Sequence, residues 1–147
     1  MSSVGDTLLS LLPHRAPIAM LQRIIALEDD TLVCEASVDE RSALADQGVV
    51  PGVVAIEMAA QACAALETLG RRARGESGAA RQGYLVGARS VTTCATFRVG
   101  QLCRVQVTRD AFAPPLALFK FDVASKVDGA PIASGMLSAF IDAPPVA

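Results

Sequence analysis

The sequence has few of the residue types on which many protein functions depend. Its 147 residues include one histidine, one tyrosine, no tryptophan and four cysteines. A single histidine excludes a metal site built on two histidines, and it leaves His14 as the one imidazole available to a mechanism. The cysteines lie at least nine residues apart and form no common zinc motif. We therefore predict no metal ion, and four reduced cysteines packed in the core: Cys34, Cys63, Cys94 and Cys103.

Excess charge of one sign and long apolar runs are also absent. Thirteen basic and fifteen acidic residues give a formal net charge of −2, which argues against nucleic acid as a partner. The richest apolar stretch, residues 49–66, contains Pro51 and Glu57 and falls short of the roughly 18 uncharged residues of a membrane span. The N-terminus has no basic region typical of a signal peptide. We expect a cytoplasmic protein with no membrane partner, folded as a single domain over residues 1–147.

The order of predicted elements indicates an α+β protein. Asp6 caps a short helix over residues 7–12, and one long helix covers residues 53–69, with Gly70 as its C-cap. The long helix is apolar on nearly all sides, so we expect it to be buried. β-branched, alternating segments predict the strands, at residues 18–27, 31–38, 84–91, 102–111, 116–127 and 132–141. An antiparallel sheet wrapped around one long central helix satisfies this pattern.

Glu57 and Gln61 are the polar pair on this otherwise apolar helix. They are four residues apart and therefore project from the same face. An ionised carboxylate inside a domain must be paired, protonated or facing a cleft. Gln61 can hold Glu57 in place for acid or base chemistry, or Glu57 can form a structural ion pair with Arg89 or Arg98. Both interpretations remain open from the residues alone.

The start of the helix suggests a second chemical group. Backbone N–H groups at a helix N-terminus can polarise a carbonyl oxygen, and a glycine allows that oxygen to come close. Gly52, with Val53 after it, is therefore a candidate for binding an ester or thioester carbonyl, with Glu57 deeper in the helix as acid or base. An ordinary helix start at a Pro-Gly turn is the alternative.

Two motifs resemble one protein family. Residues 50–61, with Pro51, Gly52, Glu57 and Gln61, are similar to the active-site helix of hotdog-fold 3-hydroxyacyl-acyl-carrier-protein dehydratases. Residues 12–18, Leu-Pro-His-Arg-Ala-Pro-Ile, resemble a second segment of that family. Residues 83–89 and 133–138 are similar to strands of the dehydratase-like branch found in aryl polyene biosynthesis clusters.

The resemblance implies a dimer of hotdog subunits that acts on acyl thioesters without a cofactor. The substrate would be an acyl-carrier-protein or coenzyme A thioester, and the oligomer either homomeric or formed with a paralogous hotdog subunit. In the family, a histidine of one subunit works with the helix carboxylate of the other, which Glu57 matches. The histidine does not match, because the family places it eight residues before Pro-Gly and this chain has Ala43 there. The resemblance assigns His14 to a structural segment, and catalytic use of His14 is the less favoured interpretation.

Three functions follow from this partial match. The chain is a dehydratase-like subunit that contributes Glu57 to a site shared with a histidine-bearing partner, a thioesterase that uses Glu57 alone, or a non-catalytic subunit that binds acyl carriers or partners. Arginines after the helix could contact an acidic carrier protein or simply form a solvated helix end, namely Arg71, Arg72, Arg74 and Arg81.

Overall fold

The computed structural model describes residues 19–75 and 83–141. The helix predicted over residues 7–12 lies outside these ranges, as do His14 and Arg81. In chain order, the described elements are β1 (Leu21–Glu28), β2 (Thr31–Ala36), β3 (Val49–Pro51), a 3₁₀ turn (Gly52–Val54), α1 (Ala55–Ala73), β4 (Gly83–Thr93), β5 (Thr96–Arg98), β6 (Cys103–Ala113), β7 (Leu116–Ser125) and β8 (Pro131–Ile141).

Six strands form one antiparallel sheet in the order β1-β2-β6-β7-β8-β4. Helix α1 contacts all six strands, which confirms the predicted α+β arrangement of a sheet wrapped around one central helix. The remaining two strands, β3 and β5, pair with each other beside the sheet. The sequence did not predict them, because three residues are too few to show an alternation of period two.

The long helix forms the centre of the core. No residue of α1 from Ala55 to Arg71 is exposed, as its apolar composition predicted. Met58 and Ala62 of the helix and Phe119 of β7 belong to the same buried cluster, which extends across the inner face of the sheet. Burial of each large side chain of this kind contributes about 1.5–3 kcal/mol. The helix, which has a length and composition that would also suit a membrane span, is 67% buried over its most apolar window, as expected of a core helix.

The predicted end of the helix at Gly70 is wrong. Helix α1 continues through Gly70 to Ala73, and Gly75 is the residue beyond it with a positive φ of 83°. Arg71 is buried on the added turn, and its Nε lies 4.0 Å from the carboxylate of Glu67 one turn earlier. The extra turn places Arg71 inside the protein, where the sequence had suggested a solvated helix end.

The cysteines are all free thiols. Cys34, Cys63 and Cys103 are buried in the core, whereas Cys94 is half-buried. Burial raises the pKa of Cys34 to about 12 and that of Cys103 to about 11, so both thiols stay protonated at neutral pH. Within residues 19–75 and 83–141, no group of three or more His, Cys, Asp or Glu side chains is arranged to hold a metal ion.

Candidate active site at the helix N-terminus

The start of the helical segment is fixed against the end of β4. Strand β3 pairs with β5 through Val49–Pro51, and the N–H of Gly52 donates to the carbonyl oxygen of Ala95 at 2.9 Å. Gly52 lies so close to the backbone of Cys94 that a Cβ built on it would be 1.9 Å from the Cys94 carbonyl oxygen. Glycine is therefore required here by a close backbone approach.

Because of this contact, Gly52 and Val53 have different roles at the helix start. The N–H of Gly52 donates within the protein and is therefore not available to a ligand. The role of Gly52 is to allow the close backbone approach, because it has no side chain. Val53 is 57% exposed, and its amide belongs to the first turn, where N–H groups have no acceptor within a helix. The exposed residue at the positive end of the helical segment is thus Val53.

Glu57 lies one turn beyond Val53 and is held by Gln61. The Glu57 side chain is half-buried, and its Oε1 accepts a hydrogen bond from Gln61 Nε2 at 3.3 Å. Gln61 is fully buried, and its Oε1 accepts the backbone N–H of Met20 at 2.8 Å. The amide of Gln61 therefore connects the residue before β1 to the carboxylate of Glu57. Its orientation is set by Met20, whose N–H requires the carbonyl end of the amide.

The structure does not support the alternative ion pairs of Glu57 with Arg89 or Arg98. Both arginines are exposed residues of β4 and β5, and neither forms an ion pair within the part of the chain that the structure describes. The polar contact between Glu57 and Gln61 is the one the helical spacing predicted.

The loop between β2 and β3, where the family carries its histidine, is folded by other residues. Asp39 accepts hydrogen bonds from the backbone N–H of Arg41 at 2.7 Å and from its guanidinium at 2.8 and 3.0 Å. The side-chain hydrogen bonds to Arg41, followed by the backbone one, lower the pKa of Asp39 to about 2. Ser42 is buried in this loop, and its Oγ accepts the N–H of Leu44. The loop is thus an ordered turn built without an imidazole.

Some residues that shape the site were missed by the sequence analysis. Cys94 and Ala95 fix the helix start, yet the predicted strand ended at residue 91, and Met20 orients Gln61 from 41 residues away. The only sequence signal was the Pro-Gly pair itself, which shows that a backbone approach is possible but not which segment approaches. Of the predicted site residues, Gly52, Val53, Glu57 and Gln61 lie together on the first turns of the helical segment, and His14 lies outside the described residues.

A long helix wrapped by an antiparallel sheet is the hotdog fold, and the family match that follows supports a hotdog protein that processes acyl thioesters. The chain matches the ApeP-like family model, described as ApeP dehydratase, over residues 7–145, and it therefore belongs to the ApeP-like family. Comparison with curated protein sequences gives no significant match.

Solved structures agree with this assignment. The chain is similar to one in "The Dehydratase Heterocomplex ApeI:P from Xenorhabdus doucetiae", with 26% identity, a TM-score of 0.81 and coverage of 92% of this chain and 91% of that chain. A hypothetical thioesterase from Streptococcus pneumoniae, solved with coenzyme A, is 13% identical, with a TM-score of 0.61 and coverage of 84% and 88%. Zebra fish thioesterase superfamily member 2 is 15% identical, with a TM-score of 0.60 and coverage of 96% and 99%. The two thioesterases support the hotdog fold alone.

Proposed function

We propose that this chain is one subunit of a 3-hydroxyacyl-thioester dehydratase and that it supplies Glu57 to a site completed by a histidine-bearing hotdog partner. The observation that carries the proposal is the hydrogen-bonded series from Met20 N–H through Gln61 to Glu57, beside a family loop without histidine. A buried glutamine that orients a half-buried carboxylate is typical of a positioned acid or base. The similarity to a protein solved as a dehydratase heterocomplex supports a paralogous partner.

The proposed chemistry needs two groups. Dehydration breaks the Cα–H bond and the Cβ–O bond of the 3-hydroxyacyl chain, forms the Cα=Cβ double bond and releases water. One group takes the α-proton, and the other protonates the departing hydroxyl. Glu57 provides one of these groups, and the partner's imidazole provides the other. In this proposal the N–H of Val53 polarises the thioester carbonyl, which favours loss of the α-proton.

The free edge of β4 is the proposed place of assembly. Strand β4 is terminal in the sheet, and Leu85 and Val86 on it are 46% and 57% exposed. An edge strand with exposed apolar side chains is suited to pairing with a strand of another chain. The same strand runs to Thr93, next to the Cys94 contact with Gly52, so a partner strand added there lies beside the helix start.

The decisive experiment co-expresses this chain with a candidate histidine-bearing hotdog partner from the same organism and measures turnover of a 3-hydroxyacyl-carrier-protein. We expect Glu57→Gln to lower kcat at least 100-fold, in the range typical of a lost acid or base. Glu40→Gln is the matched control, since it makes the same change at an exposed loop position. Full activity of the complex with Glu57→Gln would refute the proposal.

The second candidate is a thioesterase, in which Glu57 activates water and the helix start binds the carbonyl. The half-buried position of Glu57, one turn from the exposed residue Val53, favours it as the alternative. Release of free thiol from acyl thioesters by this chain alone, above the Glu57→Gln background, would support it. Partner or carrier binding without turnover in either assay would instead indicate a non-catalytic subunit. We expect the protein to act in the cytoplasm.

A further inference from the structure

A basic surface pocket lies on the outer face of the sheet, opposite the helix. It has a volume of about 290 Å³ and is lined by Arg23, Ile25, Glu35, Arg104 and Lys126. The three cations are the side chains of β1, of β6 and of the residue after β7, and they surround the single carboxylate of Glu35 on β2. The pocket is therefore positive on a chain whose formal net charge is −2.

Glu35 fixes two of the cations in place. Its Oε1 accepts hydrogen bonds from Arg23 Nη2 at 2.7 Å and from Lys126 Nζ at 2.8 Å, and its side chain is only 8% exposed. The hydrogen bond from Lys126, followed by that from Arg23, lowers the pKa of Glu35, so the carboxylate remains charged. The two cations keep 55% and 45% of their side-chain surface exposed. They are held by one oxygen atom and still face solvent.

Arg104 is the cation of the pocket that forms no ion pair with Glu35. It stands directly opposite Glu35 in the β2–β6 register and is exposed. In the described part of the chain it takes part in no ion pair or side-chain hydrogen bond. Asp122 of β7 pairs with Gln106, two residues from Arg104 on β6, and Asp128 accepts the N–H of Ala130 in its own turn. Three cations thus line the pocket beside one carboxylate, and no described acidic side chain forms an ion pair with Arg104.

The pocket is at the same end of the sheet as the candidate active site. Glu35 and Arg104 pair one residue from the end of β2 and the start of β6, and Arg104 pairs with Ala124 near the end of β7. Ala124 in turn pairs with Pro131, the first residue of β8, and two residues later Ala133 pairs with Thr93 at the end of β4. The helix start contacts the backbone immediately after Thr93.

We propose that this basic pocket docks an acidic surface of the protein that delivers the acyl thioester to the helix start. The proposal rests on the proposed function for its direction, since it places the docked protein at the end of the sheet where the thioester reacts. Carboxylates of the delivering protein would pair with Arg104 and with the exposed faces of Arg23 and Lys126. Charge complementarity of this kind acts mainly on the association rate and is weakened by salt.

The test measures binding of an acyl carrier protein to the purified complex by titration at low and physiological ionic strength. We expect the double variant Arg104→Gln, Lys126→Gln to weaken binding about tenfold or more at low salt, and to reduce the dependence of binding on salt. Arg104→Lys, Lys126→Arg keeps both charges and should bind as the parent does. The control variant Arg72→Gln, Arg74→Gln removes two charges at the end of α1, which is the alternative carrier contact that the sequence left open, and we expect it to bind as the parent does.

Turnover gives a second readout, which separates failure of the proposed function from failure of the docking proposal. The pocket variant should raise KM for a carrier-bound 3-hydroxyacyl substrate and leave kcat unchanged. Its turnover of the same acyl group on N-acetylcysteamine, which has no carrier protein, should equal that of the parent. If no thioester is turned over, the proposed function fails while the titration still decides the docking proposal. Unchanged carrier binding by the pocket variant, or equal weakening by the Arg72 and Arg74 control, would overturn it. Pocket-dependent binding of free coenzyme A without carrier binding would also overturn it in favour of a phosphate site.

Discussion

Replacement of Gly52 by alanine tests whether the helix start is fixed by the backbone contact that the structure shows. A Cβ at this position would lie 1.9 Å from the carbonyl oxygen of Cys94, whereas real Cβ contacts stay above 3.0 Å. The two backbones must therefore separate by more than about 1 Å, which also stretches the 2.9 Å hydrogen bond from Gly52 to Ala95. Overpacking and a weakened hydrogen bond together predict a loss of about 3 kcal/mol in the free energy of unfolding.

The measurement is urea unfolding followed by circular dichroism, with thermal unfolding as a second readout. A loss of about 3 kcal/mol corresponds to a Tm lowered by about 6–12 °C in a domain of this size. Gly70→Ala is the matched control. A Cβ there would lie 3.4 Å from Nη1 at the end of the long Arg74 side chain, and alanine is more favourable than glycine in a helix interior by about 1 kcal/mol. Equal stability of the Gly52→Ala and Gly70→Ala variants would refute the inferred contact.

Three further predictions concern titration and thiol reactivity. Gln61→Glu buries a second carboxyl beside Glu57, so the Tm should fall at pH 7.5 and recover towards pH 5, where the introduced carboxyl is neutral; a pH-independent Tm difference would contradict this. The Asp39 ion pair with Arg41 stabilises the protein above the usual pKa of 3.8 and is lost as the pH falls to about 2. In the Asp39→Asn variant the free energy of unfolding should therefore depend less on pH across that window. In native protein at pH 7.5, Cys94 should be the first thiol to react with an aromatic disulfide reagent, and Cys94→Ser should remove that fast phase.

The sequence predicted the helix and its polar pair because both depend on local spacing. Pro51 marks the start of the helical segment, and a separation of four residues places Glu57 and Gln61 on one face whatever surrounds them. The absent loop histidine was also visible, because the chain has one histidine in total. These features require no knowledge of which strands are neighbours.

The contacts that orient the pair could not be predicted, because they join distant segments. Gln61 bonds to the backbone of Met20, and Gly52 bonds to Ala95 through the pairing of two three-residue strands. Neither contact leaves a periodic signal. The predicted helix end was wrong for a similar reason: Gly70 resembles a C-cap in the sequence, but Arg71 after it is buried and lies beside Glu67 one turn earlier.

The contacts within this chain bear on the roles proposed for the two subunits. The carboxylate of Glu57 is oriented by Gln61 and the helix start is fixed at Gly52, and both contacts lie within this one chain. A site that is already ordered in one subunit needs the partner to supply only the missing imidazole, so assembly need not reshape this half. We therefore expect substitutions on the β4 edge, such as Val86→Lys, to abolish activity of the complex by preventing assembly, while the isolated chain keeps its Tm. If that variant still assembles with its partner, β4 is not the shared edge.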